Sequence, residues 1–245
     1  MRIVSFNLNS WCSTVPLTQK QKIEELAQYI SHKYNEPEII ALQEVIAGQN
    51  EKHLKTIQEF FPNYSIITPA GFDHLTHFKS LICVTLVKNS IAYKVLEFPC
   101  CLPNRVSYVR IFNNRFLPQL TIMNCYMVQT AIHGHKPNWY VNKRIELREK
   151  LFDEVINAVN NTTEQPLILA GDFQENLDGE HTKRLGAICE AAETIPFRKN
   201  WNAEGIDHFF LNSQAWSNFL PLSIEYDKKP LKWLSDHGII TLETI

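Results

Sequence analysis

Residues 166–174 read Pro166-Leu167-Ile168-Leu169-Ala170-Gly171-Asp172-Phe173-Gln174. A run of four apolar residues closed by proline on one side and glycine on the other describes a short buried strand. The strand ends on a carboxylate, Asp172. Upstream, Trp139 to Val159 is the longest helical pattern in the chain. Val141, Ile145, Leu147, Leu151, Phe152, Val155, Ile156 and Val159 form its apolar face, and Lys143, Arg144, Arg148 and Lys150 are expected outside. A long amphipathic helix followed by a buried strand is the signature of an α/β domain.

The same alternation extends in both directions. Met1 to Asn9 predicts a strand with a polar end. Thr18 reads as the N-cap of a helix through about Tyr34, with Ile23, Leu26, Ala27 and Ile30 at helical spacing. Pro37 stops that pattern, and residues 38–42 predict a buried strand that delivers Gln43-Glu44. Asn50 to Phe60 predicts a second helix, with Leu54, Ile57 and Phe61 on one side. The middle of the chain reads as strands over residues 64–68, 81–88, 91–98, 106–112 and 120–126. Asn89-Ser90 and Asn113-Asn114 are the turn signals of antiparallel hairpins. Downstream, the pattern predicts a helix over residues 180–192 and strands over 208–212, 219–226 and 238–242. No repeat, low-complexity tract or linker interrupts it. The expectation is one α/β domain over residues 1–245: a four-layer sandwich of two mainly antiparallel β-sheets flanked by helices.

Bulk properties narrow the function. The formal charge of −2, from 24 basic and 26 acidic residues, gives no electrostatic footprint for tight nonspecific duplex binding. A local basic rim or a bound metal could still supply the field for a nucleic-acid substrate. Six cysteines (Cys12, Cys83, Cys100, Cys101, Cys125 and Cys189) form no CxxC pair, which fits reduced thiols better than a zinc site. No apolar stretch approaches a membrane span, and no leader pattern opens the chain. The reading expects a cytoplasmic monomer without an obligate protein partner, export by a leader-independent route being the alternative location.

The chemistry lies at the strand ends. Glu44 follows a buried run, as does Asp172. Asp207 precedes His208-Phe209-Phe210-Leu211, and Asp236-His237 precedes Gly238-Ile239-Ile240. Carboxylates at the ends of buried strands are costly to desolvate unless something pairs with them. Magnesium is one such partner, since it needs only one or two carboxylates and keeps several waters. Glu44 is the best direct ligand. Asp172 can orient or deprotonate a water aimed at phosphorus. His237 can stabilise the negative charge that develops on the phosphate, held in place by Asp207 or Asp236. Asn7 and Asn9 offer neutral contacts to phosphate oxygens or metal-bound water. Taken singly, each of these residues reads first as a cap, a turn or a solvated group. Their recurrence in order, on suitable strands, is what points to phosphate-ester chemistry.

Together these motifs resemble the endonuclease/exonuclease/phosphatase superfamily over essentially the whole chain. Asn7 matches the asparagine of the family's first strand, and Gln43-Glu44 its Q-E pair. Gly171-Asp172-Phe173 matches G-D-F/L, Ile206-Asp207 the I/L-D pair, and Ser235-Asp236-His237 the closing S-D-H. The resemblance implies a two-sheet sandwich with its site at one edge. It implies a metal on Glu44, attacking water against Asp172, and Asp207 behind the catalytic His237. Tyr126, in Asn124-Cys125-Tyr126, resembles the tyrosine of the exonuclease III-type branch where other members have N-T-H.

The chain departs from the pattern in three places. Gln174 stands where the family has asparagine, and Asn9 where repair-type members often have aspartate. Met127-Val128-Gln129-Thr130 replaces a V-P-N stretch that is followed by arginine; His133, His135 and Lys136 are candidate substitutes for that arginine. The resulting set has Asp172, His237, Asp207 and Tyr126 as catalytic residues and Asn7, Gln174, Gln129 and His133 as substrate contacts. Glu44, Asn9 and Asp236 are placed around Mg2+, with Mn2+ as the alternative ion.

For substrate, a phosphodiester in nucleic acid leads. A phosphoinositide, sphingomyelin or other small or lipid-linked phosphate ester is the second reading. A binding module that kept the fold and lost turnover is the third, motivated by Gln174, Asn9 and the missing arginine. The segment Gly71 to Phe78 and the tryptophans Trp201, Trp216 and Trp233 could contact substrate or simply pack. Arg105, Arg110 and Arg115 recur at fives, which does not place them on one strand face, and no basic groove is assigned to them.

Overall fold

A computed structural model describes residues 1–10, 16–77, 79–112, 119–130, 136–192, 205–220 and 222–244. The chain begins with β1 (Arg2–Asn7), α1 (Gln19–Tyr34), β2 (Ile39–Ile46), α2 (Lys52–Phe60), β3 (Tyr64–Ile67) and α3 (His74–His77). It continues through β4 (Leu81–Lys88), β5 (Tyr93–Val95), β6 (Val106–Ile111), β7 (Leu120–Tyr126), α4 (Asn138–Asn160) and β8 (Leu167–Asp172). The last elements are α5 (Glu180–Gly186), β9 (Glu190–Ala192), β10 (Asp207–Leu211), α6 (Ser213–Phe219), β11 (Leu222–Asp227) and β12 (Ile239–Thr244).

The strands form two six-stranded sheets, ordered β11-β12-β1-β2-β4-β3 and β5-β6-β7-β8-β10-β9. Each has one parallel pair at its centre, β1 with β2 and β7 with β8, and antiparallel pairs elsewhere. In both parallel pairs a helix, α1 or α4, lies between the two strands. A parallel neighbour cannot be reached by a tight turn, so the connection must be a crossover. Helix α1 starts in a capping box, in which the Thr18 side chain accepts from Gln21 N and the Gln21 side chain returns to Thr18. It ends on Asn35 in the left-handed region.

Three apolar clusters fill the layers. Ile23, Leu26, Ile30 and Ile57 pack against Phe6, Leu42 and Val84 on the outside of the first sheet. Ile3, Ile39, Val109, Ile122, Ile168 and Phe209 pack between the sheets. Leu151, Phe152 and Val155 pack against Met123, Leu169 and Phe210 outside the second sheet. This is the expected four-layer sandwich. It also contains polar atoms. Gln43 Nε2 donates to Asn124 Oδ1 (2.8 Å) and Ser5 Oγ (3.1 Å), while Asn124 Nδ2 donates to the carbonyls of Leu42 and Val84 (both 3.1 Å). Thr85 Oγ1 donates to Ser107 Oγ at 2.9 Å. These bonds tie one sheet to the other directly beneath the edge where the carboxylates gather.

Several expectations are corrected. Asn89-Ser90 is not a hairpin turn: β4 belongs to the first sheet and β5 to the second, so the chain changes layers there. The strand expected over 91–98 shrinks to β5, whose side chains are exposed and lack a second neighbour. Asn113-Asn114 lies outside the described residues, although the flanking β6 and β7 do pair antiparallel. The helix expected over 180–192 stops at Gly186, and its last residues form the edge strand β9. The strand expected from Phe219 begins at Leu222, because Asn212 caps α6 by accepting from Ala215 N. The helix expected from Asn50 starts at Lys52 after a short 3₁₀ turn. On α4, Ile145 is exposed and Arg148 is buried, the reverse of the expected faces. Cys83, Cys125 and Cys189 are buried free thiols, Cys100 and Cys101 are partly covered, and Cys12 lies outside the described residues.

Candidate active site

Four strand ends line up at one edge of the second sheet. Tyr126 on β7 is paired with Asp172 on β8, and Asp172 with Asp207 on β10. Val106 pairs with Cys125, which sets Arg105, one residue before β6, opposite Tyr126. The level therefore runs Arg105, Tyr126, Asp172, Asp207. Gly171 makes the approach possible. Its φ is +142°, and a Cβ there would sit 2.0 Å from the Cys125 carbonyl oxygen.

The first sheet contributes Asn7, Glu44 and the segment before β12. Strand β2 is bulged: Leu42 pairs with Val84 and Val45 with Ile82, so Gln43 and Glu44 together face the single residue Cys83. Glu44 takes φ +53° in this bulge. The extra residue lets Gln43 join the inter-sheet bonds while Glu44, alongside it, turns to Asn7, whose Nδ2 donates to Glu44 Oε1 at 3.1 Å. The same Asn7 nitrogen donates to Asp172 Oδ2 at 2.8 Å, joining the two sheets. Ser235 Oγ donates to the Asn7 carbonyl (2.8 Å) and accepts from His237 N (3.2 Å), which fixes the chain on either side of Asp236.

His237 Nδ1 lies 2.8 Å from Asp207 Oδ2. Its Nε2 lies 3.9 Å from Asp172 Oδ2 and 3.7 Å from Asp236 Oδ1. Burial works against a charged His237, but the carboxylates of Asp207, Asp172 and Asp236 outweigh it and hold the imidazole well above its ordinary pKa. Asp172 is fully buried. Burial pushes its carboxyl up to about 7; His237 opposes the rise, and Asp207 and Glu44 add to it. Its oxygens accept from Gln174 N (2.9 Å) and from the Gln174 side-chain amide as well as from Asn7. Gln174 has φ +55°, and this left-handed turn folds its longer side chain back onto Asp172.

Asp172, Asp207 and His237 bring ligand atoms within 4.8 Å of one another, and Asp207 Oδ1 is buried without a hydrogen-bond partner. With His237 held charged and its Nδ1 on Asp207, the donors left for a hard divalent cation are the carboxylates, Glu44 beside Asp172 among them. Burial of several carboxylates without matching cations is what raises Asp172. A dication among oxygen donors relieves it. Glu44 is nearly buried beside them, whereas Asp236 is 59 % exposed and accepts from the Asn9 side-chain amide. Asn9, at φ +44°, offers its carbonyl to the buried Lys22 ammonium at 2.7 Å.

Asn7, Glu44, Tyr126, Asp172, Gln174, Asp207, Asp236 and His237 thus meet at one edge. Tyr126 is buried with its hydroxyl at Glu44; burial first, then the Glu44 charge, raises its pKa. Gln129 has an exposed side chain, and its carbonyl accepts from Arg144 Nε at 2.7 Å. His133 and His135 lie outside the described residues, as does Trp201. Trp216 and Trp233 are partly buried against the cores.

Two arginines were missed. Arg148 reaches the Val128 and Gln174 carbonyls (both 3.3 Å), Thr130 Oγ1 (3.4 Å) and Glu175 Oε1 (3.1 Å), so it clamps the loops that follow β7 and β8. Its signal was in the sequence: it precedes Phe152 by four residues, inside the buried stripe of α4. Arg105 lays its guanidinium 3.9 Å from the centre of the Tyr126 ring and donates to the Met127 carbonyl at 3.1 Å. Only strand pairing reveals that position.

No family model matches the sequence, and no curated protein sequence matches it. Solved structures do. A humanized TDP2 of D. rerio superposes with a TM-score of 0.68 at 16% identity, covering 100% of this chain and 99% of that one. An endonuclease/exonuclease/phosphatase from Bacteroides vulgatus gives 0.66 at 15%, covering 100% and 98%. A mannosyl-6-phosphatase of Bacteroides thetaiotaomicron gives 0.66 at 15%, covering 100% and 99%. With two six-stranded sheets between helices and its carboxylates gathered at one sheet edge, the chain has the endonuclease/exonuclease/phosphatase fold.

Proposed function

We propose that this chain is a divalent-metal-dependent phosphoesterase that hydrolyses a phosphodiester, with nucleic acid as the leading substrate class. One observation carries the reading: His237 Nε2 and the Asp172 carboxylate face each other at 3.9 Å, with Asp207 behind the histidine and Glu44 and Asn7 alongside.

Asp172, oriented by Asn7 and Gln174, holds the attacking water and takes its proton as the water oxygen bonds to phosphorus. The bond from phosphorus to the leaving oxygen breaks on the opposite side, and that oxygen keeps the electron pair and takes a proton from solvent. His237, kept charged by Asp207, donates from Nε2 to a nonbridging oxygen as negative charge grows there. Glu44, together with Asp236 and Asn9, would hold Mg2+, or Mn2+, whose charge offsets that of the phosphate. Tyr126 would orient Glu44 through its hydroxyl. Gln129, just after β7, remains a substrate-contact candidate, as does His133 on its residue type alone.

The near-neutral chain, at −2, supports a second reading: a small or lipid-linked phosphate ester such as a phosphoinositide or sphingomyelin. Purified protein with magnesium or manganese, assayed against plasmid DNA, single-stranded oligonucleotide, phosphoinositide and sphingomyelin, separates the two. The nucleic acids are expected to be cleaved, and Asp172→Ala and His237→Ala each to lose most of that activity while remaining folded by circular dichroism. Wild-type turnover in either variant would refute the mechanism. Absence of both magnesium binding by calorimetry and hydrolysis of any substrate would make the chain a binding module.

A further inference from the structure

Arg105 is used by none of the chemistry above. Its place follows from strand order. The level at the second sheet's edge runs Arg105, Tyr126, Asp172, Asp207. Arg105 therefore stands two strands from Asp172, about 10 Å in backbone terms, on the side away from Asp207 and His237. Its side chain folds back over Tyr126, whose hydroxyl reaches Glu44. The flat face of the guanidinium is taken by the ring and one nitrogen by the Met127 carbonyl. Among the described residues, the other nitrogens have no hydrogen-bond partner and no carboxylate is within ion-pair distance. An arginine held by stacking and one backbone bond, with its remaining donors unspent, is a preorganised anion fork. The water and the scissile phosphate belong against Asp172 and His237. A group held by Arg105 is displaced from them across the width of Tyr126.

We propose that Arg105 binds the phosphate flanking the scissile one, so that the site prefers a phosphodiester with a second phosphoryl group next to it, as in an oligonucleotide. This rests on the phosphodiesterase reading and specifies its substrate. The test compares the thymidine dinucleotide TpT with its 5′-phosphorylated and 3′-phosphorylated forms, pTpT and TpTp. Wild-type protein is expected to turn over one phosphorylated form with kcat/KM about tenfold or more above TpT. Arg105→Ala should bring that ratio close to one, and Arg105→Gln, which keeps part of the stacking plane, should do the same. If Arg105 only supported Tyr126, all three substrates would slow by one common factor and the ratio would survive, which would overturn the proposal. So would a wild type that shows no preference for either phosphorylated form.

If nothing is hydrolysed, the phosphodiesterase reading fails, and calorimetry of the same three dinucleotides decides the second question alone. Tighter binding of one phosphorylated form, lost in Arg105→Ala, upholds the phosphate site. Equal affinities overturn it.

Discussion

His237 and Asp207 meet at 2.8 Å although they come from different sheets, Asp207 opening β10 and His237 preceding β12. The pair exists only when the two layers are packed. Removing the charge but not the shape, in Asp207→Asn, should let the His237 pKa fall from its raised value, because burial is then less opposed. Turnover should drop by about 100-fold, within the range for a positioned acid–base group. A nuclear magnetic resonance titration of the His237 ring checks the first outcome, and kcat on the cleaved substrate checks the second. An unmoved ring pKa would separate Asp207 from the histidine's charge.

Stability should depend on pH and on metal together. The Asp172 carboxyl sits at about 7 in the fold against an ordinary 3.8, so the folded state binds its proton more tightly and stability falls as pH rises between those values. The raised His237 acts in the same direction: its stabilisation is complete below an ordinary 6.5 and is lost as pH climbs through the folded value. The melting temperature of metal-free protein should therefore decline from about pH 5 to about pH 8, and saturating magnesium should reverse the decline, since the cation takes the proton's place. A melting temperature that rises over this range in metal-free protein would contradict the electrostatics.

Asn124 holds the sheets together beneath the site, bonding to Gln43 and to the carbonyls of Leu42 and Val84. Asn124→Ala leaves those buried groups unpaired and should cost about 3 kcal/mol in urea unfolding. A loss below about 1 kcal/mol would mean that water or repacking satisfies them.

Arg148 clamps two active-site loops from behind. Arg148→Met removes one partner of Glu175, whose bonds from the His181 and Thr182 amides remain, and should destabilise by about 2 kcal/mol. It also frees the Gln174 carbonyl, and Gln174 orients Asp172. The expected kinetic result is a fall in kcat of about tenfold with KM little changed, since in the proposed mechanism the group that moves serves the water and not the substrate. Equal loss in KM would place Arg148 in substrate binding instead.

The sequence by itself determined the long helices and most strands, though not α3, α6 or β9, and which side chains close them. Apolar period and end caps are local properties, and the runs ending in Asn7, Glu44, Asp172 and His237 carry both. The two parallel pairings were not legible: helices also separate β3 from β4 and β8 from β9 without making them parallel neighbours. What only the tertiary structure decided was partnership across layers. That β4 and β5 part company at Asn89-Ser90, that Gln43 faces Asn124 while Glu44 turns toward Asn7, and that Arg148 is buried all depend on packing between segments far apart in the chain. Arg105 is the clearest case. Nothing within several residues of it hints at a site, and its place beside Tyr126 comes from the register of β6 on β7. Local pattern records what a segment buries, whereas register and layer order fix what it meets.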